Sequence, residues 1–270
     1  MISEMTILRS AMRSIDKIAS ATVVLDEMSM TTEIGHIEAI FRYPVKSMAG
    51  VRLDAANLGW HGLDGDRRLA LRKVRERSGF PFLTAGKLPD LVRFTPVWRG
   101  EDRTGLPTHV QTPEGDEFGI FGEELAAEVE RRVGVPVQMM EFRNGIFDDG
   151  SLSVISLETI GEVGNVTGIA PDVRRYRPNV AVRLLRPGAF QEDGWVGGVL
   201  SFGEAGGPGI SVTMRDLRCA MVNIDPDSAR TAPEMMKAIV RMNQNMAGIY
   251  GTVIRTGELS VGQAVYLQTA

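Results

Sequence analysis

The chain has a single cysteine, Cys219, in the stretch MRDLRCAMVNIDPDS (Met214 to Ser228). A lone cysteine forms no internal disulfide and builds no cysteine-rich metal site. Three roles stay open to it: a small buried hydrophobe, a nucleophile, or one soft ligand to a metal whose other ligands lie elsewhere. Arg218 beside it would favour the thiolate, the form that both attacks and ligates.

Three more stretches carry residue types with chemistry. In YPVKSMAG (Tyr43 to Gly50), Lys46 and Ser47 occupy a glycine-containing turn after a proline. A lysine and a hydroxyl beside exposed backbone N–H groups can cradle an anion, although a solvated surface loop has the same composition. In GLDGDRRLAL (Gly62 to Leu71), two glycines permit a tight turn and Asp66 can fix the fork of Arg67 or Arg68. A pinned arginine suits a phosphate, and it equally suits a salt bridge that closes the turn. In VRRYRPN (Val173 to Asn179), Arg174, Arg175 and Arg177 crowd together just before a strand. Their mutual repulsion calls for an anion or several carboxylates among them, and Asn179 adds an amide able to read a polar ring edge.

Other chemistries are absent or weak. His36, His61 and His109 share no HxH or HExxH spacing, so a histidine zinc site is not expected. No phosphate-binding GxxxxGK[ST] loop and no GxSxG elbow occur, and GEVGNVTG and GGPGIS read as turns. A Cys–His hydrolase is allowed by residue count, but its base is not assignable. A net charge of -4 over 270 residues argues against a nucleic-acid-coating protein, so no nucleic acid is expected as a partner. No window reaches the ~18 uninterrupted apolar residues of a spanning helix, so no membrane span is expected. A single cysteine suits a reducing compartment, hence a cytoplasmic location.

Elements must position these residues. Thirty glycines and thirteen prolines cut the chain short and often, favouring many strands with a few helices, an α+β fold that is mainly β. Residues 1–33 read as an N-terminal extension, frayed or helical, with Leu8, Met12, Ile15 and Ala19 at helical spacing; its acids argue against a targeting peptide. From Ile34, apolar Ile37, Ala39 and Phe41 alternate as in a half-buried strand ending at Pro44, and Leu69 and Leu71 repeat that period. PTHVQTPEGDEFGIF predicts a hairpin turning at Pro113–Asp116. GEELAAEVERRVGVP predicts a helix stopped by Gly134 and Pro136. A second helix should start at the N-cap Ser156 and run to about Val163. A third should span Pro233 to Asn245, with Met235 or Met236, Ile239, Val240 and Met242 inward. RPNVAVRLL reads as a strand, SFGEAGGPGISVTM as two strands about a glycine-rich turn, and the C-terminus as two strands about a turn at Gly257–Val261. Turn residues in NGIFDDG place a join near Asn144–Gly150 and divide the chain into 34–146 and 147–270.

In order, RYPVKSMAG, HGLDGDRRLAL, FLTAGKLPDL, VRRYRPNVAV, LRCAMVNIDPDS and YGTVIRTGELSVGQAVYL resemble the MOSC family, named for the C-terminal domain of molybdenum cofactor sulfurase. The resemblance runs from about Ile34 to Leu267 and is nearest to amidoxime-reducing molybdenum proteins. It implies a MOSC β-barrel core (147–270) preceded by a β-barrel-like N-terminal lobe (34–146), with a molybdenum–pterin cofactor held between them. Cys219 matches the family's metal-ligating cysteine, and is the catalytic residue in that sense. Lys46, Ser47, Arg67, Arg177, Asn179 and Arg218 match positions near the cofactor's phosphate and pterin, and Asp149 and Gly150 lie in a turn that approaches it. The implied activity is reduction of N-hydroxylated compounds (amidoximes, hydroxylamines, N-hydroxylated bases). The alternative is a cofactor carrier or a persulfide sulfur-transfer module using the same cysteine. The resemblance also leaves room for pyridoxal phosphate as a ligand.

One cysteine provides no four-cysteine iron–sulfur domain, and the chain is too short for a desulfurase domain, so electrons are expected from a separate donor protein. The family often has an arginine after Thr-Ala; here Gly86 and Lys87 follow, and Lys87 would replace the charge but not a bidentate contact. Leu69 stands where an aromatic is common, a packing difference.

Overall fold

The computed structural model describes residues 31–77, 79–100 and 105–269. The helical spacing seen within 1–30 lies outside the described residues. Strand β1 (Thr31–Arg42) begins three positions earlier than the sequence boundary, so Thr31–Glu33 belong to the fold. It is followed by β2 (Val51–Leu53), β3 (Ala55–Gly59), β4 (Gly62–Leu63) and β5 (Leu69–Lys73). Next come β6 (Thr95–Val97), β7 (His109–Gln111), β8 (Glu117–Gly119), helix α1 (Glu123–Val133) and β9 (Val137–Glu141). The β7–β8 hairpin turns where its sequence demands, with Gly115 N donating to Thr112 O at 3.0 Å. Helix α1 ends at Gly134 in the left-handed conformation, φ 76°, its N–H capping Glu130 O.

The second half holds β10 (Leu152–Ser156), α2 (Leu157–Thr167), β11 (Val180–Leu184), β12 (Val199–Phe202), β13 (Gly209–Leu217), α3 (Glu234–Asn243), β14 (Met246–Arg255), β15 (Gly257–Ser260) and β16 (Ala264–Gln268). Ser156 caps α2 as expected, accepting from Thr159 N at 3.1 Å, but the helix runs on past Val163, through Gly161 and Gly164, to Thr167, where Gly168 caps it in the left-handed conformation. In α3 the buried face is Met235, Ala238 and Ile239, while Val240 is exposed, one step round from the predicted face. The predicted turn at Gly257–Val261 is largely strand β15, which pairs with β3 from Gly257↔Leu58 to Ser260↔Ala55.

Seven strands close a barrel in the order β1–β11–β10–β14–β13–β12–β16 and back to β1, with β2 attached outside β1. Only β10–β11 is parallel; the other six pairings are antiparallel. The fold is therefore mainly β with three helices among the described residues. The barrel interior is apolar: Ile37 and Ile40 from β1 pack with Val154, Val180, Phe202 and Ile249. Each such side chain contributes about 1.5–3 kcal/mol on burial.

A second core, with Leu71, Leu91, Phe94, Val110, Leu125 and Val129, fills the lobe of residues 45–141. The division at 146/147 describes chain order, and in space the two parts interleave. β1 is a barrel stave, and Leu58 and Leu63 of β3 and β4 belong to the barrel's core. Among the described residues no helix is long and apolar enough to cross a membrane.

Candidate functional site

A cavity of about 530 Å³ opens where the lobe meets one end of the barrel. Lys46 and Ser47 reach it from the turn after β1, and Arg67 from the turn before β5. Asp148 and Asp149 enter from the loop before β10, Arg177 from the short turn before β11, and Arg218 and Cys219 from the end of β13. Seven of the nine residues singled out by sequence thus line one space. The other two, Asn179 and Gly150, stand behind it. Arg175, Tyr176, Asp216 and Tyr250 also line the cavity, and the sequence reading does not assign them there.

Three of the lining residues hold an uncommon backbone. Ser47 (φ 69°), Arg67 (φ 48°) and Arg177 (φ 52°) are all in the left-handed region without being glycine. That conformation costs a non-glycine residue roughly 1–2 kcal/mol, and strain of this kind gathers at functional sites. Neighbouring backbone bonds impose it: Lys46 N donates to Leu69 O at 2.7 Å and Arg67 N to Tyr43 O at 2.7 Å. Gly62 must be glycine, since a Cβ there would sit 2.2 Å from Ser151 O and its φ is +93°.

Asp66 organises the arginines from below. Its buried carboxylate accepts from Tyr43 N at 2.6 Å, from Asn179 Nδ2 at 3.0 Å and from Arg67 Nη1. Arg67, rather than Arg68, is therefore the pinned arginine; Arg68 pairs with Glu141 at 3.2 Å. Arg67 Nη2 donates to Arg177 O at 3.1 Å, which ties the lobe's turn to the turn before β11. Burial works against the Arg67 charge, but Asp66 more than offsets it and holds the guanidinium above its usual range.

Asn179 is buried, with Oδ1 accepting from Ser153 N at 3.1 Å and Nδ2 donating to Phe41 O at 3.3 Å and to Asp66. It orders the site's floor instead of facing a ligand directly. Gly150 likewise makes room, because a Cβ there would meet Tyr250 Cβ at 2.8 Å.

The arginine cluster before β11 resolves into two ion-paired members and one different one. Arg174 pairs with Asp172 and Asp227, each at 2.7 Å, and Arg175 pairs with Asp225 at 2.6 Å. Arg177 donates to Met48 O at 2.7 Å and lies over the Tyr43 ring at 4.2 Å. Among the described residues no carboxylate comes within ion-pair distance of it. Burial lowers its pKa to about 10, opposed by Tyr43 and aided by neighbouring Arg67, so the charge persists at a cost that an anion in the cavity would remove. Lys46 Nζ sits 2.6 Å from Asp148 Oδ1. Burial favours the neutral Asp148 acid, yet Lys46, helped by Arg67 and Arg177, holds its carboxyl below the usual range.

Cys219 is exposed and precedes a short turn over Ala220–Asn223. Exposure removes the buried-hydrophobe role and leaves nucleophile or ligand. The hydrogen-bonding groups of Arg218 are directed to other partners: Nε donates to Ala247 O at 2.6 Å, Nη1 to Tyr176 O at 2.7 Å, and Nη2 lies 2.9 Å from Asp216 Oδ2. No group of three or more His, Cys, Asp or Glu able to hold a metal occurs among the described residues, so Cys219 could supply one protein ligand to a metal carried by another group. Gly86 lines the cavity but Lys87 does not, so Lys87 does not replace the missing arginine's charge there.

Residues 143–266 match the family model described as the MOSC domain, and residues 34–148 match the MOSC N-terminal beta barrel domain. No curated protein matches the chain. Among solved structures, the YuaD protein from Bacillus subtilis has a TM-score of 0.50 at 16% identity, covering 90% of this chain and 100% of that one. YiiM from Escherichia coli gives 0.40 at 12%, covering 87% and 70%, and YiiM from Geobacillus stearothermophilus gives 0.35 at 17%, covering 44% and 54%. The YuaD likeness concerns fold alone.

Proposed function

Since the chain belongs to the MOSC family, with the family's N-terminal barrel domain ahead of the MOSC domain, we propose that it binds a molybdenum–pterin cofactor in the cavity at Cys219 and reduces N-hydroxylated compounds. The observation that carries this reading is the convergence of an exposed thiol with Lys46, Ser47, Arg67 and Arg177 on one cavity of about 530 Å³.

The donor set fits the group. A thiolate is a soft ligand suited to a metal that already has sulfur ligands. Arg177, a guanidinium without a carboxylate, and Lys46 suit a phosphate, as arginine forks and lysine point charges do. The buried Tyr176 hydroxyl, which has no hydrogen-bond partner, borders the same cavity. When bound, the cofactor would supply the two-electron chemistry, and the chain supplies binding, orientation and electrostatics. Asp66 and Asn179 keep Arg67 and Arg177 in place before binding, so little ordering cost falls on association. The electrons come from a separate donor protein.

The test is turnover. Protein purified from cells able to make the cofactor, given a chemical reductant such as reduced viologen and an aromatic amidoxime, should yield the amidine. Molybdenum-loaded protein that leaves amidoximes and hydroxylamines unchanged would remove the reductase reading. The exposure of Cys219 favours one second reading, in which the same thiol carries a persulfide to a cofactor on another enzyme. Mass spectrometry of the freshly isolated protein distinguishes it by a sulfur adduct on Cys219.

A further inference from the structure

Strand β13 is irregular near the cavity. Its pairing with β14 shifts register between Val212 and Met214 and again between Arg215 and Leu217. A bulge leaves a residue out of the ladder and re-aims its side chain, and bulges gather beside active sites. The second shift falls on Asp216. Its side chain turns inward to 2% exposure, while Met214 and Leu217 to either side are 42% and 56% exposed. Asp216 lines the cavity with Cys219, three positions further on.

The carboxyl is incompletely satisfied. Oδ2 lies 2.9 Å from Arg218 Nη2, yet neither atom has a hydrogen-bond partner of acceptable geometry. Around it stand Arg218 on the same segment, Arg67 from the turn before β5, Asp148 and Asp149 from the loop before β10, and Tyr250 from β14. Burial raises its pKa to about 6; Arg218 and Arg67 oppose the rise, and Asp148 and Asp149 add to it. A carboxyl whose pKa is raised toward neutrality holds its proton to higher pH than an ordinary aspartate and can donate it there.

We propose that Asp216 is the proton donor of this cavity, protonating the oxygen that leaves an N-hydroxylated substrate; this rests on the reductase reading above. For a hydroxylamine, R–NHOH with two electrons and two protons gives R–NH2 and water. The N–O bond breaks and the two electrons come from the donor protein. One proton passes from Asp216 to the departing oxygen, which leaves as water, and the second reaches nitrogen from solvent. Asp216 is left as a carboxylate facing Arg218 and recovers its proton from solvent.

The experiment compares wild type, Asp216→Asn and Asp216→Glu, each loaded with molybdenum. The Asn variant should lose roughly 100-fold or more in kcat, the range expected of a general acid, with unchanged molybdenum content. The Glu variant should recover part of the loss. In wild type, kcat should fall as pH rises through the Asp216 pKa, and the Asn variant should lack that limb.

A second readout needs no turnover. Carbon-13 NMR of aspartate-labelled protein should show a carboxyl titrating near pH 6 that Asp216→Asn removes. The folded-state pKa is raised from 3.8 to about 6, so the stability linked to Asp216 is complete below 3.8 and lost as pH rises through 6. The melting temperature of wild type should accordingly fall relative to Asp216→Asn across that window.

Wild-type kcat and pH profile in the Asn variant would overturn the assignment, as would an Asp216 carboxyl titrating at the ordinary aspartate value. If the Asn variant fails to fold, the wild-type NMR titration and the Glu variant decide. A molybdenum-loaded wild type inert toward all N-hydroxylated compounds overturns the reductase reading and the donor role together, while the titration still reports whether the Asp216 carboxyl holds its proton to about pH 6.

Discussion

Arg177 lies over the face of Tyr43, with its guanidinium carbon 4.2 Å from the ring centroid. Arg67 approaches the same ring at 5.2 Å. Tyr43 thus has two cations near its ring, one held by Asp66 and the other without a carboxylate. A desolvated cation–π contact is worth about 2 kcal/mol, enough to help hold Arg177 in place while leaving its charge for an anion. Strand β1, which ends at Arg42, is thereby coupled to the cavity one residue later.

Tyr43→Phe keeps the ring and removes a buried hydroxyl that has no hydrogen-bond partner. Stability should hold or rise by up to ~1 kcal/mol in urea unfolding, because an unsatisfied polar group is a cost. Tyr43→Ala should lose about 3–5 kcal/mol, as large aromatic truncations in cores do. A Phe variant destabilised by more than ~2 kcal/mol would mean the hydroxyl has a partner after all.

Asp66→Ala leaves Arg67 partly buried beside an emptied partner and frees Tyr43 N and Asn179 Nδ2. Breaking a buried pair this way costs about 3–5 kcal/mol. Denaturant midpoints of wild type and variant check it, and a loss below ~1 kcal/mol would show that Asp66 is not the organiser of the site.

Arg177→Met should separate binding from stability. The side chain's charge has no carboxylate to answer, so the folded protein should lose little or gain slightly. Retention of pterin through gel filtration should drop, with affinity weakened by about 10- to 100-fold for a lost charge-assisted contact. Unchanged retention would take Arg177 out of the binding set.

Much of the site is legible in the sequence because anion chemistry writes itself into composition. Basic residues clustered in an acidic chain point to Lys46, Arg67 and Arg177, and a lone cysteine points to Cys219. Local rules also place the hairpin at Pro113–Asp116, the Ser156 cap and the Gly134 stop. What local rules miss is long-range pairing. In sequence β15 reads as a turn, because its glycine and short length conceal a partner, β3, some two hundred positions earlier. Asp216 is missed for a different reason: a carboxylate in an exposed-looking strand end reads as a surface residue, and nothing local marks the register shifts of β13 beside the cavity. Asn179 has the chemistry of a ligand-reading amide, whereas its hydrogen bonds close under the site.

Ser47→Gly relieves a left-handed backbone at φ 69°. Thermal unfolding of the cofactor-free protein should show a gain of up to ~1 kcal/mol, offset in part by the greater freedom of the unfolded glycine chain. If the hydroxyl contacts the cofactor, the loaded variant should lose that advantage. A destabilised cofactor-free variant would show that the serine makes contacts that outweigh the strain.

The most direct measurement is metal and pterin analysis of the protein and of Cys219→Ala, both purified from cells able to make the cofactor. The account predicts near-stoichiometric molybdenum and pterin in the parent, and altered metal spectra with lost amidoxime reduction in the variant. A parent with neither molybdenum nor pterin, or a variant with the parent's metal spectrum and activity, would contradict it.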